Sequence, residues 1–168
     1  MIQMKLCMVG SFAVGKSSLV KRYVQSIFTD NYHTTVGVKV DKKDVVVGSE
    51  TVRMMIWDLA GEDAFSRLQT TFLRGSAGYL LVADGTRAHT LDVALELQRQ
   101  IEAALGQLPF VLVLNKDDLA PQWEVDRGRI AALERDGVKV FRSSAKNGHS
   151  VESIFEHFAS LDSLARAS

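Results

Sequence analysis

The apolar run Lys5-Leu6-Cys7-Met8-Val9 leads directly into Gly10-Ser11-Phe12-Ala13-Val14-Gly15-Lys16-Ser17, which reads G-x-x-x-x-G-K-S. A strand must therefore feed a glycine-rich loop that feeds a helix, the context this motif needs to hold phosphate. Glycines at 10 and 15 let the backbone bend until successive N–H groups face an anion. A helix opening at Lys16 adds unpaired N–H groups and the positive end of its dipole. Lys16 supplies a point charge for the outer phosphates, and the Ser17 hydroxyl is a ligand for Mg²⁺. The expected contacts to a nucleoside triphosphate run through Phe12, Ala13, Val14, Gly15, Lys16, Ser17 and Ser18.

The chain has 168 residues, which suits one domain over 1–168 with a full core. Twenty basic residues balance twenty acidic ones, so net charge argues neither for nucleic acid nor for an anionic membrane. A single cysteine, Cys7, rules out an internal disulfide and fits a reducing, cytoplasmic setting. There is no signal-peptide pattern and no apolar stretch long enough to cross a bilayer. Ile2 excludes N-myristoylation, and Leu164-Ala165-Arg166-Ala167-Ser168 offers no cysteine to prenylate. No lipid anchor is expected in this chain, and alone it is expected to be monomeric.

Periodicity alternates strands with helices. After the loop, Leu19, Val20, Tyr23, Val24 and Ile27 recur at helical spacing. Strands over 38–47 and 52–58 flank the turn Gly48-Ser49-Glu50-Thr51. Further strands are expected over 78–84, 109–115 and 138–142. Helices are expected over 90–105, with Leu91, Leu95, Ile101 and Leu105 inward, and over 122–136, ended by Gly137. A last helix over 150–164 would turn Val151, Ile154, Phe155, Phe158 and Leu161 inward. The simplest assembly is an α/β fold, a six-stranded, mostly parallel sheet with helices on both faces and one antiparallel edge strand. Ligands of such sheets sit at the carboxyl ends of the strands, where all the motifs fall.

The loop alone does not choose a base. Asn115-Lys116-Asp117-Asp118 follows the strand Phe110-Val111-Leu112-Val113-Leu114 and fits N-K-x-D. A carboxylate at Asp118 accepts two hydrogen bonds from guanine N1–H and its exocyclic amine. Adenine would leave it desolvated and unpaired. Asn115 can bond base and backbone, the Lys116 stem can cover the ring, and Ser144-Ala145-Lys146 adds a backbone N–H at Ala145 for guanine O6.

These four pieces, the loop, D-x-x-G, N-K-x-D and S-A-K, in this order and spacing, resemble the Ras superfamily of small GTPases, a P-loop NTPase fold, over essentially the whole chain. Trp57-Asp58-Leu59-Ala60-Gly61, Thr35-Val36-Gly37 and Leu73-Arg74-Gly75 are most similar to the Rab group. The W-D-L-A-G-E wording and the cysteine-free tail are also similar to Ras-like GTPases of prokaryotes. The resemblance implies GTP or GDP with Mg²⁺ as ligands, and protein effectors and regulators met through two switch segments. In the first switch, Phe28 would pack against guanine, Tyr32 would lie across the phosphates, and Thr35 would ligate Mg²⁺ and reach the γ-phosphate. In the second, Asp58 would hold Mg²⁺ through water and the Gly61 N–H would bond the γ-phosphate. Loss of the Thr35 and Gly61 contacts on hydrolysis would release both loops. Trp57, Phe72 and Val40 would form an apolar patch between the switches, with Val40 where Rab proteins usually carry an aromatic residue.

Two residues depart from the family pattern. Glu62 follows D-x-x-G where relatives carry Gln, so a carboxylate replaces an amide that orients the attacking water. It cannot donate to the transferring oxygens, and it adds negative charge to an electron-rich transition state. Phe12 stands where relatives have Gly or a small residue, and its ring would crowd an arginine finger. Both imply slow hydrolysis, in which Lys16, Thr35, Gly61 and Glu62 are the expected catalytic groups. The alternative is a hydrolysis-deficient, GTP-loaded scaffold. An ATP-dependent phosphotransferase is disfavoured by Asp118. His33, His89, His149 and His157 show no metal-ligand spacing and read as surface or loop residues.

Overall fold

The computed structural model describes residues 2–25, 38–59 and 67–167. Within them the chain runs β1 (Ile2–Gly10), α1 (Lys16–Gln25), β2 (Val38–Val47), β3 (Glu50–Leu59), α2 (Arg67–Leu73), β4 (Gly78–Asp84), α3 (Ala88–Leu105), β5 (Phe110–Asn115), a 3₁₀ segment (Asp117–Gln122), α4 (Arg127–Arg135), β6 (Val140–Arg142) and α5 (Val151–Ala167). The six strands lie in the order β2-β3-β1-β4-β5-β6. Only β2 is antiparallel to its neighbour, as the sequence implied.

The central strands β1, β4 and β5 are mostly apolar because both of their faces are covered. The alternation of side chains along β1 shows how. Met4, Leu6 and Met8 join one core with Leu19, Val20 and Tyr23 of α1 and with Ile154, Phe155 and Phe158 of α5. Cys7 and Val9 join the other with Leu73 of α2, Leu91 and Ile101 of α3 and Ile130 of α4. Tyr23 stacks on Phe155 with ring centroids 4.1 Å apart, which ties α1 to α5. Removing a ring as fully buried as Phe155 costs about 3–5 kcal/mol. β2 is an edge, and its outward Lys39, Lys42 and Asp44 keep that edge charged.

Several expected boundaries shift. The hairpin turn is tighter than expected, since Val47 pairs with Glu50 and Gly48 takes φ 63. The helix expected over 122–136 does not begin at Gln122. Pro121 sits in the 3₁₀ segment instead, and α4 starts after Asp126, whose carboxylate caps Arg129 N at 2.7 Å. β6 is shorter than 138–142, at Val140–Arg142. Leu161 does not turn inward but is 38 % exposed. The buried stripe of α5 ends at Ala159, and the described side chains beyond it are exposed or half-buried. On α3 the stripe runs through Thr90, Leu91, Ala94, Leu97 and Ile101, which leaves Leu95 and Leu105 only partly buried. The expectation for Ile27 lies outside the described residues.

β1 has β3 on one side and β4 on the other, so its carboxyl end is where the strand order reverses. In open parallel sheets that crevice is where ligands bind. Gly10, Asp58, Asp84 and Asn115 lie at or next to the carboxyl ends of β1, β3, β4 and β5, and Asp84 pairs with Asn115 in register.

Candidate functional site at the strand ends

The glycine loop leaves β1 with its backbone against β4, where a Cβ at Gly10 would fall 2.4 Å from Val82 O. Gly15 takes φ 102, and a Cβ there would strike Asn115 Nδ2 at 2.2 Å. Both positions need glycine for close approach rather than for looseness. Ala13 adopts φ 61, an unusual turn for a residue with a Cβ. Val14 has its side chain in the core, so only its backbone is left to meet a ligand. Phe12 is 42 % exposed at the rim.

Lys16 opens α1 and is buried, its Nζ donating to Gly10 O and Ser11 O at 3.3 Å each. Burial pushes its ammonium pKa down, and Asp58 opposes that. The Ser17 hydroxyl donates to Asp58 Oδ2 at 2.5 Å. Ser17 and Asp58 thus present two hard oxygens side by side beside the loop, a donor set that suits Mg²⁺ completed by water and phosphate. Among the described residues, no three of His, Cys, Asp or Glu gather as a metal cage.

The N-K-x-D turn is bonded to the loop across the whole middle of the chain. Asn115 Nδ2 donates to Val14 O at 3.0 Å, and Lys116 Nζ donates to Ala13 O at 3.4 Å. Asn115 Oδ1 accepts from Ser143 Oγ at 3.1 Å and from Ala145 N at 3.3 Å. The Ala145 amide expected to meet a base therefore meets Asn115 here. Asp118 Oδ1 accepts from Ser144 Oγ at 2.7 Å, and Lys146, two residues after Ser144, is exposed. The structure accordingly brings Phe12 to Ser18, Asp58, Asn115, Lys116, Asp118, Ser144 and Ala145 to one sheet edge. The expectations for Phe28, Tyr32, Thr35, Gly37, Gly61 and Glu62 lie outside the described residues.

Sequence reasoning missed a second tier of residues that fixes this edge. Asp84 is fully buried and takes Lys116 Nζ at 2.8 Å, Arg87 Nε at 3.0 Å, Thr86 N at 2.9 Å and Thr86 Oγ1 at 2.7 Å. Burial pushes its carboxyl up, but the hydrogen bonds from Lys116, Thr86 and Arg87 outweigh that and hold it below the usual carboxylate range. Arg87 Nη2 continues to Phe12 O at 3.0 Å. Trp123 donates from Nε1 to Lys116 O at 2.8 Å, fixing Lys116 in its left-handed φ 73, ψ 39. The Trp123 ring lies so close over Gly85 that a Cβ there would meet it at 2.1 Å. Arg142 stacks over that ring with its guanidinium 4.4 Å from the centroid, and pairs with Asp117 at 2.8 Å. One signal was available: an acidic residue ending the wholly apolar strand Gly78–Asp84, at the strand end where ligands gather.

Beside the site, Val40 lies opposite Trp57 in the β2–β3 register, and Trp57 meets Phe72 with centroids 5.9 Å apart. The expected apolar patch is therefore contiguous, with Val40 41 % exposed and Trp57 and Phe72 half-buried against the core. His157 is not a loop residue; it lies in α5, half-buried between the rings of Phe141 and Phe158. His89 and His149 are exposed. A cleft of about 440 Å³ that includes Tyr79, Glu102 and Phe110 opens at the opposite ends of β4 and β5, away from these groups. Among the described residues, no helix is long and apolar enough to cross a membrane.

Comparison with known proteins agrees with this geometry. A sequence model of the Ras family matches residues 5–161. The chain is similar to Ras-related protein Rab-7b of Homo sapiens, 36% identical over 168 residues, which span 95% of this chain and 82% of that one. It is similar to Ras-related protein SEC4 of Saccharomyces cerevisiae, 33% identical over 160 residues, 94% of this chain and 74% of that one. GTP-binding protein yptV2 of Volvox carteri is 36% identical over 166 residues, 96% of this chain and 76% of that one.

Proposed function

This chain belongs to the Ras family, with Rab-like small GTPases among its relatives, and on that footing we propose that it is a guanine-nucleotide-dependent molecular switch. It binds GTP or GDP with Mg²⁺, hydrolyses GTP slowly, and signals to protein effectors and regulators through its two switch segments. The whole of 1–168 acts as one G domain, monomeric alone and cytoplasmic.

The observation that carries this reading is the hydrogen-bonded union of the two motifs. Asn115 and Lys116 hold the carbonyls of Val14 and Ala13, so base-reading and phosphate-reading residues form one site. Asp118, beside Ser144, supplies the carboxylate that selects guanine over adenine. Buried Lys16 and the loop amides face the growing charge between the β- and γ-phosphates, in a setting where preorganised donors are worth more than in water. Ser17 and Thr35, with Asp58 acting through water, would hold Mg²⁺, which when bound neutralises phosphate charge. Glu62 positions the attacking water without donating to the transferring oxygens, which slows the step.

A second reading is favoured by Phe12, whose exposed ring stands at the rim of the loop. It is a GTP-loaded scaffold that has lost hydrolysis. A single turnover of GTP-loaded protein, followed by chromatography of the bound nucleotide with Glu62→Gln alongside, separates the two. The switch reading expects GTP to become GDP over minutes to hours. GTP that persists in the wild type but is hydrolysed by Glu62→Gln would select the scaffold. A protein that retains neither GTP nor GDP would sink both.

A further inference from the structure

Three consecutive carbonyls of the phosphate loop are each held by a side chain from a neighbouring strand end. Phe12 O accepts from Arg87 Nη2 at 3.0 Å, Ala13 O from Lys116 Nζ at 3.4 Å, and Val14 O from Asn115 Nδ2 at 3.0 Å. No described peptide is cis. In a trans peptide the C=O and the following N–H point in opposite directions. Drawing these carbonyls toward the donors therefore turns the amides of Ala13, Val14 and Gly15 to the opposite side, toward the hollow of the loop.

Lys116 and Asn115 belong to the base-reading turn, but Arg87 belongs to neither nucleotide motif. It comes from the connection between β4 and α3, and two of its nitrogens do different work. Nε is spent on Asp84 at 3.0 Å, which leaves Nη2 to reach the loop. The same buried carboxylate takes Lys116 at 2.8 Å, so one acid orients two of the three donors. Asp84 and Phe12 O are taken by two different nitrogens of the planar fork, Nε and Nη2, a spread that the single nitrogen on a lysine at position 87 does not reproduce.

We propose that Arg87 is a positioning residue for the phosphate chain: it fixes the Phe12–Ala13 peptide so that the Ala13 amide faces the nucleotide. Through Asp84 it couples that peptide to Lys116 of the base turn. This rests on the guanine-nucleotide reading above and assigns a role to a residue outside its motifs. Arg87 acts through the loop backbone and is not itself placed on a phosphate.

The test compares wild type, Arg87→Ala and Arg87→Lys, each purified, loaded with GDP and Mg²⁺, and chased with unlabelled GDP. Losing one charge-assisted anchor predicts release from Arg87→Ala about tenfold faster than from wild type. Arg87→Lys keeps its pair with Asp84 and melts like wild type, yet releases GDP nearly as fast as Arg87→Ala. The ³¹P resonance of the bound β-phosphorus moves in both variants, a readout that a merely structural role would leave in place. Unchanged release and an unmoved resonance in Arg87→Ala would overturn the proposal, and so would full rescue by Arg87→Lys. Should Arg87→Ala not fold, Arg87→Lys against wild type decides by the same rate and resonance. A wild type that retains no GDP would instead overturn the guanine-nucleotide reading, and the proposal with it.

Discussion

The ends of this site proposed to read base and phosphate are built on different principles. At the base end, polar groups are spent on one another: Ser144 on Asp118, Ser143 and Ala145 on Asn115, Arg142 on Asp117, and Trp123 on the backbone of Lys116. At the phosphate end, a buried ammonium on Lys16 has two carbonyls at 3.3 Å for hydrogen-bond partners and Asp58 as the charge that favours it. The first arrangement is stable as it stands and waits to exchange a few hydrogen bonds with a ligand. The second carries a desolvation cost that an anion relieves. On the proposed function, specificity and affinity fall to different stretches of one edge, and Lys116 and Asn115 belong to both.

The largest effect expected is at Lys16. Its folded pKa lies below the free-lysine value, so its proton is held less well when folded. That penalty applies at every pH below the free value of about 10.4 and is present at neutrality. Lys16→Met should therefore leave the nucleotide-free protein melting at or above wild type while weakening GDP by about a hundredfold or more. Calorimetry with and without GDP checks both halves. A variant that melts far below wild type, or still binds GDP tightly, would break the contrast between the two ends. Asp118→Asn comes next, with about a hundredfold loss of GDP and little change in melting, because the carboxylate is exposed and its proposed role is choice of base. Competition binding of GDP against XDP, whose extra carbonyl an amide can answer, measures it.

Gly85→Ala should cost about 1–3 kcal/mol of stability, since its Cβ would overlap the Trp123 ring that fixes Lys116. Urea titration reads that loss, and a neutral result would mean the roof over the base turn is slack. The smallest effect is a pH dependence at Asp84. Its folded pKa is lowered, so its contribution is present above the usual carboxylate value of about 3.9 and is lost as pH falls below that toward the folded value. Wild type should lose its margin over Asp84→Asn across that acid window and keep it near neutrality. A margin that stays constant from pH 6 down to pH 3, followed by thermal unfolding, would show that the Asp84 cluster adds nothing through charge.

The sequence made the fold and the two motifs legible because their chemistry is local. Gly10 to Ser17 and Asn115 to Asp118 are each contiguous, and each follows an apolar strand that places it. What stayed hidden depends on contacts between distant segments. Trp123 looked like part of a helix over 122–136, yet its ring serves Gly85 and Lys116, and α4 begins only after Asp126. Arg87 reads as an ordinary loop residue until Phe12 O, 75 positions away, is brought to its guanidinium. Leu161 fits the inward period of α5 but lies beyond Ala159, where that stripe ends. Periodicity states which face a side chain takes, not where the surface it packs on stops.

The central claim is one site that draws affinity from phosphate and selectivity from guanine. Titrating nucleotide-free protein, with Mg²⁺ present, against GDP, GMP and ADP in the same calorimetric series tests it most directly. The account predicts GDP far tighter than GMP, through Lys16 and the loop amides, and GDP far tighter than ADP, through Asp118. Equal affinity for GDP and ADP, or for GDP and GMP, would contradict it.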